Sequence, residues 1–210
     1  MSKTEKLLII VLMGSLWGAL ELFGIDLLRA MHVPSKAAFL FGLGLIVIYA
    51  SKRVVDFKGS VVIMALIAGL FKTVSDNFFA CQFAAVMING IVFDLTYSYL
   101  KGYLDNSTLY RLVAAPVIAY VSYTVFAFAV VYLMREPHWV DRGIPGIIDY
   151  LTTDALVAAL FSTVTISAGF YLGNALKQLW VPGRVGLPAT AIKVAAVVLV
   201  AIIWIAGQMY

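Results

Sequence analysis

Apolar residues fall into seven runs, over residues 7–28, 37–50, 60–74, 82–100, 109–134, 147–179 and 188–208. A helix rises 1.5 Å per residue, so roughly 20 apolar residues cross the hydrocarbon core of a bilayer. The pattern predicts an all-α, polytopic membrane bundle of six to seven transmembrane helices, forming one domain over residues 1–210. The second run is short for a span and carries Gly42 and Gly44. The sixth, if helical throughout, exceeds a bilayer core by several turns. The first continues through Glu21 and Asp26 with no small-residue cleavage site after it, so it reads as a retained helix and not as a leader. Residues 135–148 carry Pro137, Gly143, Pro145 and Gly146 and read as a long loop. A loop of that length in a small protein is more often functional than idle.

Composition agrees. Hydrophobic residues make up 63% of the chain and charged ones 12%, against about 25% charged in a soluble domain. The formal charge of +4 sits in short connections, where it reports topology and not nucleic-acid binding. With seven spans, Lys3, Lys6, Lys52, Arg53, Lys58, Lys101, Arg111, Lys177, Arg184 and Lys193 share one side. Arg29, Lys36, Lys72, Arg135 and Arg142 share the other. That asymmetry predicts a plasma-membrane protein with a cytoplasmic N-terminus. The lone Cys81 supports neither an internal disulfide nor a thiolate metal site. No phosphate loop, zincin motif or Ser/His/Asp set is visible, so neither a metal nor a cofactor is expected, and enzymatic activity is not.

The informative residues are the ionisable ones inside apolar runs: Glu21, Asp26, Lys72, Asp94, Asp149 and Asp154. Each costs about 2.5–3.5 kcal/mol at a bilayer centre, so such residues face a bundle interior, a partner or a water-filled cavity. On the first helix Gly14, Trp17, Gly18, Glu21 and Gly24 share a face, while Leu12, Leu16, Leu20 and Leu27 suit lipid. The small residues Gly14 and Gly18 suit close helix packing. Glu21 is either a ligand contact or a structural glutamate paired to a neighbouring helix.

The polar turn of residues 71–82 contains Lys72, Asp76, Asn77 and Gln82. Lys72 and Asp76 are four apart and suit an ion pair, and Asn77 suits a helix N-cap. Gln82, Ala85 and Asn89 make a polar stripe along the fourth helix. Asp94, nearer the basic side, reads as structural, meeting Lys101 or a helix end. Asp149 and Asp154 open the sixth helix, Asp154 being the better site candidate. His138 reads as a solvated loop residue and Trp139 as an interface anchor. Tyr120 and Tyr123 are either ligand-stacking or core residues. With seven spans, Trp17, Glu21, Asp76, Asn77, Gln82, Asn89 and Asp154 outline a substrate pocket open to the outside, with Lys72 supporting it through Asp76.

This plan resembles the substrate-binding S components of energy-coupling factor (ECF) transporters. It does so in Gly14-x-x-x-Gly18 on the first helix, a short second run and the polar turn from Asp76 to Gln82. The resemblance implies capture of a vitamin or related small molecule from outside. It also implies docking through small residues, here Gly14 and Gly18, onto a transmembrane coupling subunit driven by ATPases. The seventh run departs from the six-helix pattern, and the absence of an N-terminal histidine cluster speaks against the nickel and cobalt branch. The expected partners are the lipid bilayer, a small-molecule substrate and such a coupling subunit. The acids of the pocket favour a substrate with an amine, a cationic ring or several hydroxyls. An accessory subunit of a larger membrane complex and a small ion channel through Glu21, Asn89 and Asp94 are the alternatives.

Overall fold

A computed structural model describes residues 1–74, 79–179 and 189–209. The described chain is helical: α1 (Lys3–Ala30), α2 (Lys36–Val54), α3 (Ser60–Lys72), α4 (Ala80–Asn106), α5 (Thr108–Phe128), α6 (Pro137–Thr152), α7 (Asp154–Leu179) and α8 (Ala189–Gln208). A π-helical turn, Ala129–Leu133, extends α5. Six stretches are long and apolar enough to cross a membrane: α1, α2, α4, α5 with its π turn, the α6–α7 stretch, and α8. The helix α3, with 13 residues, is shorter and reaches about 20 Å at 1.5 Å per residue.

Helix ends follow local chemistry. Ser2 and Glu5 form a reciprocal capping box at the start of α1: the Glu5 N–H donates to Ser2 Oγ and the Ser2 N–H to Glu5 Oε2. The Glu5 carboxylate also pairs with Lys193 at 2.9 Å, tying α8 to α1. Higher up, Trp204 Nε1 donates to Ser15 Oγ at 2.9 Å.

Neighbouring helices touch through glycines. A Cβ on Gly14 would lie 2.9 Å from Ile67 Cβ, and one on Gly18 would lie 2.6 Å from Phe71 Cβ. Both glycines are buried against α3. Packing by close backbone approach is what stabilises helices in lipid, where no hydrophobic force drives them together. Gly14 and Gly18 are therefore engaged in an internal seam with α3. Of the four leucines assigned to lipid, Leu27 is exposed, whereas Leu12, Leu16 and Leu20 are half-buried.

The order of contacts fixes direction. Residues 14 and 18 meet 67 and 71, so α1 and α3 run parallel, while Gly44 meets Trp17 and α2 returns antiparallel. Gly69 meets Phe83 and Gly90 meets Ala65, so α4 is antiparallel to α3. Gly169 and Gly173 meet Ile46 and Arg53, so α7 runs parallel to α2. Short as it is, α3 takes a full place in this alternation.

The expected loop over residues 135–148 is the largest correction to the fold. It is most of α6. Glu136 accepts from the Trp139 N–H at 3.3 Å and Pro137 occupies the first turn, where its missing N–H costs nothing. Gly143 breaks the helix with φ 56° and ψ −155°, a conformation that only glycine adopts readily. A second break at Thr153 splits the long sixth run, so Asp149 belongs to α6 and only Asp154 begins α7.

Candidate functional site

At the end of the bundle where α1 leads to α2, α3 to α4 and α5 to α6, the helices enclose a cavity of about 570 Å³. That is within the range of small-molecule sites. Its walls come from six helices. Leu22 and Glu21 of α1, Phe41 of α2, Lys72 of α3, Val86 and Asn89 of α4, and Ser122 and Tyr123 of α5 lie inside, while α6 adds Trp139 and Tyr150. Arg29 and Phe79 line it too and are well exposed, marking its rim.

Two ion pairs belong to the cavity. Lys72 Nζ donates to Glu21 Oε2 at 3.1 Å, with both side chains about nine-tenths buried. Nearer the rim Arg29 holds Asp26 at 2.6 Å, three residues apart on α1. Glu21 was expected to stand either as a ligand contact or as a paired structural acid, and the geometry makes it both paired and cavity-lining. Lys72 pairs with Glu21, on a helix 51 positions away in sequence. Asp76 and Asn77 lie outside the described residues.

The predicted stripe on α4 is placed as expected: Gln82, Ala85 and Asn89 all line the cavity. Trp17 does not. Its indole is buried and wedges between α2 and α4, where Cβ atoms on Gly44 and Gly90 would approach it to 2.7 and 3.7 Å. Asp154 starts α7 and is not part of the cavity wall. The expected net acidity of the pocket is also absent from its described lining, because Glu21 and Asp26 are matched by Lys72 and Arg29.

The aromatic wall was largely missed from sequence. Tyr123 and Tyr150 stack with ring centroids 5.0 Å apart and planes 22° apart. Trp139 meets Tyr150 edge-on at 4.8 Å, and Phe126 meets Trp139 edge-on at 5.7 Å. Trp139 is thus a cavity residue and not an isolated anchor. Tyr123 lines the cavity while Tyr120 is exposed. Trp139 and Tyr150 lie on either side of the Gly143 break, so their approach comes from the kink and not from helical spacing, and the proline and glycines between them disguised the helix. Ser122 Oγ is fully buried at the cavity wall with no hydrogen-bond partner among the described residues.

The opposite end of the bundle contains a different polar cluster. Asp94 is buried there and accepts from Lys52 Nζ at 2.7 Å, the Gly59 N–H at 2.7 Å and the Val61 N–H at 3.3 Å. It thereby caps α3 from another helix, supplying acceptors that Gly59 at the N-cap cannot. Lys52 also donates to Phe57 O and Ser60 Oγ. Asp94 is structural, as expected, but its cation is Lys52, while Lys101 pairs with Asp56. Arg53 binds Asp105 at 2.6 Å and Asn174, and Arg111 lies 3.8 Å over the Phe170 ring.

Among the described residues no three His, Cys, Asp or Glu side chains are grouped as a metal site requires. No family model, no curated protein and no solved structure matches the chain.

Proposed function

We propose that the protein is a membrane subunit that captures a small polar organic molecule for uptake and performs no chemistry on it. The observation that carries this reading is the cavity of about 570 Å³ holding the buried Glu21–Lys72 pair. Buried charges facing empty space in a membrane bundle are costly unless something polar uses them. The two carboxamides on α4, Gln82 and Asn89, add donors and acceptors to the same space.

In this reading the basic end of the bundle is cytoplasmic, so the cavity opens outward from the cell membrane. Arg29, Lys36, Lys72, Arg135 and Arg142 lie toward the cavity end. The described members of the larger set, from Lys3 to Lys193, lie toward the other. By the resemblance to ECF S components, the subunit hands its substrate to a transmembrane coupling subunit with ATPases. Docking would then use a face other than Gly14 and Gly18.

A native mass spectrum of protein purified in mild detergent tests the reading. The expected result is a retained small molecule that is lost in the Glu21→Gln, Lys72→Met double variant. A spectrum in which the protein retains only a stoichiometric protein subunit, with no small molecule, would favour an accessory role instead. Cysteines placed at Val140, in a Cys81→Ser background, should react with an impermeant thiol reagent in intact cells. Labelling only after lysis would reverse the orientation.

A further inference from the structure

We infer that the cavity takes a flat, uncharged aromatic compound carrying an amide or a similar paired donor–acceptor edge. This rests on the capture reading above and names the substrate class for the same site.

The first argument is the composition of the walls. Rings from α5 and α6 line one side: Tyr123, Phe126, Trp139 and Tyr150. They are fixed against one another by a stack of 5.0 Å and edge contacts of 4.8 and 5.7 Å. Rings held by mutual packing present a rigid surface, and such surfaces prefer other π faces in offset or edge arrangements. The α4 side offers a different chemistry. Gln82 and Asn89 each provide an amide donor and an amide acceptor, and Ser122 Oγ lies nearby on α5 with its hydrogen-bonding capacity unused. A molecule with a ring and a polar edge satisfies both sides together.

The second argument is charge. The lining acids Glu21 and Asp26 are already matched by Lys72 and Arg29 at 3.1 and 2.6 Å. A cationic or anionic ligand entering this space would lose its hydration and find every counter-charge of the described lining engaged. An uncharged ligand avoids that penalty while still meeting the donors and acceptors of the wall.

One ring skeleton separates shape from charge. Binding to the full-length protein in nanodiscs is measured by equilibrium dialysis, with protein-free nanodiscs subtracted. The probes are naphthalene-2-carboxamide, its saturated decahydro analogue, naphthalene-2-carboxylate and naphthalene-2-carboxamidine. The flat amide should bind roughly tenfold tighter than each of the other three, about 1.4 kcal/mol. That preference should disappear in Tyr150→Leu and persist in Tyr150→Phe, which keeps the ring. Equal binding of the saturated amide, tighter binding of either charged congener, absence of binding by the flat amide, or an undiminished preference in Tyr150→Leu would each overturn the inference. The two readings fail separately. A retained natural ligand that is saturated or charged sinks this one and leaves capture intact. The expected probe ranking in a protein that supports no uptake in cells sinks capture and leaves this one intact.

Discussion

The two ends of the bundle bury charge in different ways. At the end where α2 turns into α3, the Lys52 ammonium meets three oxygens, from Asp94, Phe57 and Ser60, and Asp94 in turn accepts from two backbone N–H groups. The three donors of the ammonium are all used. At the other end Lys72 meets Glu21 at 3.1 Å, and the pair then faces about 570 Å³ of space. Both pairs are buried, so burial alone does not distinguish them. What differs is the surplus hydrogen-bonding capacity: saturated around Lys52 and Asp94, left over at the cavity wall, where Ser122 Oγ has no partner among the described residues. The first arrangement fixes helices, and the second suits a ligand.

The largest effect should therefore come from the saturated end. Asp94→Asn leaves the Lys52 charge buried without its counter-ion and weakens the cap on α3. Breaking a buried pair in this way costs about 3–5 kcal/mol. Unfolding followed in detergent should show a loss of that size, and the folded fraction should still retain its small molecule. A loss near zero would mean that the Lys52 cluster is not the structural anchor.

Next comes the glycine seam. Gly18→Ala puts a methyl 2.6 Å from Phe71 Cβ, the first atom of a buried side chain. Overpacking of that kind costs about 1–3 kcal/mol. The isolated protein, with no other subunit present, should lose that stability. An unaltered isolated protein that no longer assembles with a partner would give this face a docking role.

Glu21→Gln should act on binding more than on folding. Retention of the small molecule should fall roughly tenfold, about 1.4 kcal/mol, with a smaller stability loss than Asp94→Asn because Lys72 can be hydrated through the cavity. If the two variants lose equal stability, the contrast between the ends fails.

The smallest effect belongs to Lys101→Ala. Its pairing with Asp56 is half-exposed, and such pairs are worth about 1 kcal/mol or less. A larger loss would show that the basic end extends its network to the surface.

Much of this was legible in the chain. The apolar runs gave the helices because the hydrocarbon core sets a minimum length, and Gln82, Ala85 and Asn89 gave a cavity wall because i, i+3 and i+7 share a helical face. Glu21 and Lys72 were both singled out, but not as partners: the pairing depends on α1 and α3 lying parallel, which no local spacing encodes. Proximity in sequence favoured Lys101 for Asp94, which instead pairs with Lys52. Gly14 and Gly18 announced close packing without saying against what. In α6, Pro137, Gly143, Pro145 and Gly146 read as loop residues one by one. Two helical pieces form nonetheless, joined at a kink where Gly143 takes a positive φ.

The remote cap on α3 has a consequence for the order in which the bundle is completed. Synthesis delivers Lys52, Gly59 and Val61 before Asp94, which follows Lys52 by 42 residues. The 13-residue α3 is too short by itself to cross a core of about 30 Å, and without α4 its Gly59 and Val61 N–H groups lack the Asp94 carboxylate. The Gly59 and Val61 N–H groups therefore gain their carboxylate acceptor only when α4 is in place beside α3.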